Sequence, residues 1–137
     1  MLSKTILMLI MNIISIDGID HINDFKWNNR LLVIINDGEI DILKKINRYK
    51  KEFLERDMVV VQVHEKNVFI DQKKMSKRFS RSLLKRIRKV DNDHHFLLIG
   101  KDGKIKNSYT FEIDLKIIFS DVDRMPMRQY EMGKQNR

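Results

Sequence analysis

Asp37, Glu39, His64, His94 and His95 are the residues of this chain whose types could bind a divalent transition metal or share a proton. Imidazole nitrogens and carboxylate oxygens are ligands for such ions, and imidazole changes charge near neutrality. A second set is purely basic: Lys73, Lys74, Lys77, Arg78, Arg81, Lys85, Arg86, Arg88 and Lys89 place nine positive charges between residues 72 and 90 with no acidic residue among them. That stripe exceeds the net charge of the whole chain, +8. A local concentration of this kind points to an anionic partner more directly than a high overall pI does, although a solvated helix face has the same composition. Cysteine is absent, which excludes disulfides, thiol nucleophiles, thiolate metal sites and Cys-X-X-Cys redox chemistry in this chain.

These residues must be positioned by the elements between them. At 137 residues with 42% hydrophobic content and one proline, the chain has the size of one domain with one core, able to bury roughly 65% of its unfolded surface. Residues 31–35 are a short apolar run bounded by Arg30 and by Asn36-Asp37-Gly38, as expected of a central strand covered on both faces. From 39 to 56, Ile42, Ile46, Tyr49 and Phe53 recur at helical spacing and predict one amphipathic helix capped by Asn36 or Asp37. Residues 58–63 are a second, β-branched strand. Met75, Phe79, Leu83, Ile87 and Val90 then mark a helix whose other faces carry the basic residues.

Residues 96–99 and 105–109 read as two strands joined through Gly100-Lys101-Asp102-Gly103-Lys104, where Asp-Gly favours a tight hairpin. A last helix starts after Asp114 as N-cap, turns Leu115, Ile118 and Val122 inward, and is expected to stop at Pro126. The order is βαβ, helix, ββα. At the other terminus, Lys4 precedes an apolar run from Thr5 to Ile16 that has the length of a secretory hydrophobic region and is short for a bilayer span. Residues 1–16 are therefore expected to be a signal peptide, with a retained anchor or a buried strand as alternatives, and no transmembrane domain is expected.

Four segments carry a family resemblance: Phe25-Lys26-Trp27-Asn28-Asn29-Arg30 leading into Leu31-Leu32-Val33-Ile34-Ile35, Glu55-Arg56-Asp57-Met58-Val59-Val60, Phe96-Leu97-Leu98-Ile99-Gly100-Lys101-Asp102-Gly103, and the tail around Met125-Pro126-Met127-Arg128. Together they resemble the small thioredoxin-like family catalogued as domain of unknown function 4174, over residues 24–132, with 133–137 left as a disordered tail. The resemblance implies an α/β thioredoxin-like sandwich with a four-stranded mixed sheet, ordered second, first, third, fourth, and flanking helices. Related domains in exported bacterial and extracellular-matrix proteins imply export, to a periplasm or outside the cell.

In such a fold the reactive position follows the first strand, at a helix N-terminus, and here it reads Asn36-Asp37-Gly38-Glu39. Carboxylates stand where thiols would, and Asp91-Asn92-Asp93-His94-His95 stands where a cis-proline would. Both hallmarks of thiol-disulfide exchange are missing. The topology would bring His94 and His95 to the sheet edge where Asp37 and Glu39 leave it, with His64 on the neighbouring strand. Successive strand residues face opposite ways, so His94 and His95 need a bulge to reach one ion, and plain surface residues are the alternative. Of the motif residues Trp27, Arg30, Met125, Pro126, Met127 and Arg128, Trp27 is expected to be a core lid, the methionines to pack, and Arg128 to form a surface pair with Glu131 of little weight.

The functional expectation is an exported, non-catalytic binding module without a cofactor or resident metal. Its partner would be a cell-envelope protein or an acidic polymer reached through the basic helix. Nucleic acid would require a chain that stays in the cytoplasm. The remaining alternative is an enzyme of oxidative defence working without thiols.

Overall fold

Five consecutive apolar residues, Leu31 to Ile35, leave no polar face to turn to water, so the strand that contains them has to lie in the middle of a sheet. In the computed structural model, which describes residues 16–35, 40–88, 90 and 95–135, it does. A short 3-10 helix (Ile22–Phe25) leads into β1 (Arg30–Ile35), followed by α1 (Ile40–Arg48), α2 (Lys50–Glu55), β2 (Met58–His64), β3 (Asn67–Ile70) and β4 (Lys73–Lys74). Then come α3 (Lys77–Ile87), β5 (Phe96–Ile99), β6 (Ile105–Tyr109), α4 (Leu115–Asp123) and α5 (Pro126–Gln135).

The sheet runs β4-β3-β2-β1-β5-β6. β1 is parallel to β2, with Arg30 opposite Met58, and antiparallel to β5, with Leu31 opposite Ile99. The four expected strands keep the expected order, but the sheet has six strands, not four. Val68 and Ile70 point into the core from β3, and the hairpin back from β2 turns through Glu65 at φ 57°. Lys73 and Lys74 consequently lie on β4, an edge strand, and not on the basic helix as expected.

Alternation along β1 divides the core. Leu31 and Val33 face the 3-10 helix and α3, meeting Phe25, Phe79 and Leu83. Leu32 and Ile34 face α1, α2 and α4, meeting Ile46, Phe53, Ile118 and Phe119. Ile16 packs on the edge of the first cluster; residues 1–15, where most of the expected signal peptide falls, lie outside the described residues.

Two helices differ from expectation. The 39–56 helix is interrupted at Tyr49, which has φ −106° and ψ 19°, so it becomes α1 and α2. The chain does not stay non-helical after Pro126: α4 ends at Asp123, short of the proline as expected, and Pro126 is then the first residue of α5, the position where a missing N–H costs nothing. Residues 133–135, placed in the tail, continue that helix. Asp114 caps α4 as expected, accepting from the Lys116 N–H at 3.0 Å. The Gly100–Lys104 turn closes through Gly100 N–H to Lys104 O at 2.9 Å, with Gly103 at φ 82°.

Candidate functional site

Asp37, Glu39 and His94 lie outside the described residues. His64, the last residue of β2, is exposed beside Asn67. His95 is half-buried, its ring stacked on Phe111 with centroids 3.9 Å apart and planes at 11°. Its backbone is engaged as well: the carbonyl accepts from Ile35 at 2.8 Å and the N–H donates to Tyr109 at 2.9 Å. Among the described residues no group of three or more His, Asp or Glu side chains is placed to hold a metal.

The basic residues occupy β4 and α3. Lys73, Lys74, Lys77, Arg78, Arg81, Lys85 and Arg88 are exposed, and Lys89 lies outside the described residues. Arg78 pairs with Asp20 at 3.2 Å, and Lys73 lies 4.0 Å from Asp17. Arg86 has a structural part. It donates to the Gly103 carbonyl and to Asn23 Oδ1, both at 2.8 Å, and so fastens α3 to the β5–β6 turn.

The densest polar construction is at the opposite end of the sheet, where β1 and β2 begin and β5 finishes. Arg30, the first residue of β1, is 1% exposed. Its Nη1 donates to the Arg56 carbonyl at 2.9 Å and to Glu131 Oε1 at 3.1 Å, and its Nη2 donates to Glu131 Oε2 at 3.0 Å. Lys101, 7% exposed, sits one residue past Gly100 and bridges Asp57 at 2.9 Å and Glu131 at 3.0 Å. Arg56 grips Asp123 with Nε and Nη2 at 3.0 and 2.9 Å. Arg128, 5% exposed, reaches the same carboxylate at 3.1 Å and the Glu55 carbonyl at 2.8 Å. The expected surface pair of Arg128 with Glu131 is thus corrected: Arg128 is buried, and its Nη1 is 3.9 Å from Glu131 Oε1.

Among the described residues the cluster sets four cations, Arg30, Arg56, Lys101 and Arg128, against three carboxylates, Asp57, Asp123 and Glu131. Burial works to raise the Glu131 carboxyl, but hydrogen bonds from Arg30 and Lys101 outweigh it and hold the group below the ordinary glutamate range. Asp123 is held low in the same way by Arg56 and Arg128 against its own desolvation. Both stay ionised near neutrality, which suits fixed struts and not groups that pass protons.

A groove of about 290 Å³ opens beside the cluster, between the β5–β6 turn and the start of α5. Arg30, Lys101, Met125, Pro126 and Met127 line it, together with Asp102 and Lys106, which are paired at 2.6 Å. Gly100 admits Lys106 here, since a Cβ would stand 2.6 Å from Lys106 Cε. Arg30 Nε is buried without a hydrogen-bond partner. Trp27 is held next to Lys101 by its own N–H, which donates to the Lys101 carbonyl at 2.7 Å. It is 64% exposed at φ 68°, so it is no core lid. Met125 packs against the core, whereas Met127 and Tyr130, one turn apart on α5, are exposed.

Sequence reasoning singled out Arg30 and Arg128 but missed Arg56, Asp57, Lys101, Asp123 and Glu131 as a set. Each of the four quoted segments supplies charged residues to this one end, but nothing in them says which pairs with which. The model of the family described as Domain of unknown function (DUF4174) matches residues 21–131. No curated protein and no solved structure matches the chain.

Proposed function

Because the chain belongs to the DUF4174 family, whose description names no activity, we propose from its geometry that it is an exported, thioredoxin-like binding module that carries out no chemistry of its own. The observation that carries this is the pairing within the ion cluster: its cations and carboxylates are committed to one another, and the surface they support is a groove lined by exposed Met127, with exposed Trp27 tied through its backbone to Lys101 of that lining. A bulky residue held at positive φ in the open is a costly arrangement that a merely structural loop has no need of. The absence of cysteine removes the thiol route, and support for the thioredoxin-like relation comes from the β2-β1-β5-β6 order with helices on both faces. Export rests on the apolar run from Thr5 to Ile16 behind Lys4.

A photo-crosslinking amino acid at position 27 tests the reading. In the cells that make the protein it should give a discrete adduct, while the same group at exposed Glu112, away from the groove, should not. Equal adducts, or none from position 27, would remove the groove as the binding surface. Export is checked by the mass of the mature chain, which should begin near Ser15. A second reading, in which the basic face of β4 and α3 holds an acidic polymer, is favoured by the seven exposed cations found there.

A further inference from the structure

We propose that the basic face formed by β4 and α3 lies against an anionic phospholipid bilayer. The inference goes beyond the groove and competes with the acidic-polymer reading for the same surface. Seven cations are exposed there. Two of them have carboxylate neighbours: Arg78 pairs with Asp20 at 3.2 Å, and Lys73 lies 4.0 Å from Asp17. Lys74, Lys77, Arg81, Lys85 and Arg88 make no ion pair with the described residues. At the helical repeat, Lys77, Arg81, Lys85 and Arg88, the last just past the end of α3, fall within a sector of about 80° around its axis. The buried Phe79, Leu83 and Ile87 take the opposite side.

What selects a bilayer is where the chain enters the domain. The apolar run from Thr5 to Ile16 reaches the described structure at Ile16, which packs on the edge of the core beneath α3. Asp17 follows beside Lys73, and Asp20 accepts hydrogen bonds from the Ser76 hydroxyl and from Arg78 at the start of α3. The Ile22 N–H then donates to Ser82 Oγ at 2.9 Å. The segment that leads out of the apolar run is thus fastened to the helix that carries the charge. Whether the run is kept as an anchor or removed after export, it delivers β4 and α3 to the bilayer it enters. An apolar segment with a basic patch beside it supplies the two signals that hold a protein at an anionic leaflet. The face offers no apolar wedge of its own, because the exposed large apolar side chains, Trp27, Ile117, Met127 and Tyr130, lie on other elements. Its contact is therefore electrostatic and superficial, and a single-stranded nucleic acid would find no aromatic platform on it.

The test uses the full chain and vesicles of phosphatidylcholine, either alone or with about 30% phosphatidylglycerol. The apolar run contributes to binding of both, so the ratio of the two affinities isolates the face. The wild-type protein should bind the anionic vesicles at least about a hundredfold more tightly, since each cation held at a charged leaflet is worth about fivefold. Salt at about 0.5 M should abolish the preference. Replacing Lys77, Arg81, Lys85 and Arg88 by Gln should cut it at least about tenfold and leave the unfolding temperature unchanged, because all four are exposed. Since the chain has no cysteine, Lys85→Cys and Glu112→Cys each take a single fluorescent label. Nitroxide headgroup lipids should quench the label at 85 and spare the one at 112, whose neighbours Phe111 and Ile113 pack on the other side of the sheet. No preference for anionic vesicles, an equal preference in the four-Gln protein, or equal quenching at the two positions would overturn the proposal. Heparin retention through those four residues, in a protein that shows no vesicle preference, would also overturn it and assign the face to a soluble acidic polymer. None of these outcomes touches the groove, which the position-27 adduct tests separately.

Discussion

At the end of the sheet where β1 finishes, His64 stands in solvent and the His95 ring lies flat on Phe111. At the end where β1 begins, Arg30, Lys101 and Arg128 are buried and grip carboxylates from β2's approach, α4 and α5. The first end holds the residue types that most often do chemistry, each described one in a local arrangement of its own. The second holds residue types that most often lie on surfaces, and here they are interlocked. Residue type is therefore a poorer guide to importance in this molecule than the number of distant segments a side chain joins. Glu131 alone ties α5 to β1 and to the β5–β6 turn.

The largest effect should come from cutting that tie. Glu131→Gln keeps the shape but leaves Arg30 and Lys101, both nearly sealed from water, facing a neutral amide. Breaking a buried pair from one side costs about 3–5 kcal/mol, read as a lower urea midpoint. A loss under about 1 kcal/mol would mean that the cluster is solvated like a surface pair, and the contrast between the two ends would collapse.

The same carboxylate sets a pH dependence. Glu131 and Asp123 have folded-state pKa values below their ordinary ones, 4.5 and 3.8. A depressed carboxylate contributes stability that is complete above its unfolded pKa and is lost as pH falls through the folded value. The wild-type protein should thus hold its stability down to about pH 5 and lose it steeply below about pH 4. Glu131→Gln, with one such group removed, should show a shallower acid limb in unfolding measured from pH 7 to pH 2. Parallel limbs would show that Glu131 does not sense its cationic partners.

How legible each end was in the sequence follows from the range of its contacts. β1, the Asp114 cap and the Asp-Gly hairpin are specified within a few residues, and all three could be read. β3 and β4 were missed because three apolar residues and a lysine pair are weak local signals, and Lys73-Lys74 suits a basic helix as well as an edge strand. Pro126 stops one helix and starts another by the same chemistry, so position alone decides. The cluster was illegible because its partners lie 101 positions apart for Arg30 and Glu131, 67 for Arg56 and Asp123, and 30 for Lys101 and Glu131. No periodicity encodes such pairs.

A smaller effect is expected at the opposite end. His95→Ala removes a ring stacked on Phe111 but leaves the backbone hydrogen bonds of His95 in place, and should cost about 0.5–1.5 kcal/mol in chemical unfolding. His64→Ala, at an exposed strand end, should change stability by less than about 0.5 kcal/mol. A loss at His95 as large as that of Glu131→Gln would show that this end is also interlocked.

The smallest effect on stability, and the sharpest test of what unpaired charge means here, is on α3. Lys77, Arg81, Lys85 and Arg88 are exposed and make no ion pair with the described residues, unlike Arg86, which holds the β5–β6 turn. Replacing the four by Gln removes mutual repulsion and no buried contact, so unfolding should change by less than about 0.5 kcal/mol for each substitution. Retention on heparin is the property that should move. An acidic polymer bound by these residues releases counterions, so the wild-type protein should elute progressively earlier as salt rises, and the four-Gln variant should pass through at low salt. Equal elution of the two proteins would make the stripe a solvated face. In that case the charges that matter in this chain would be the ones it has buried.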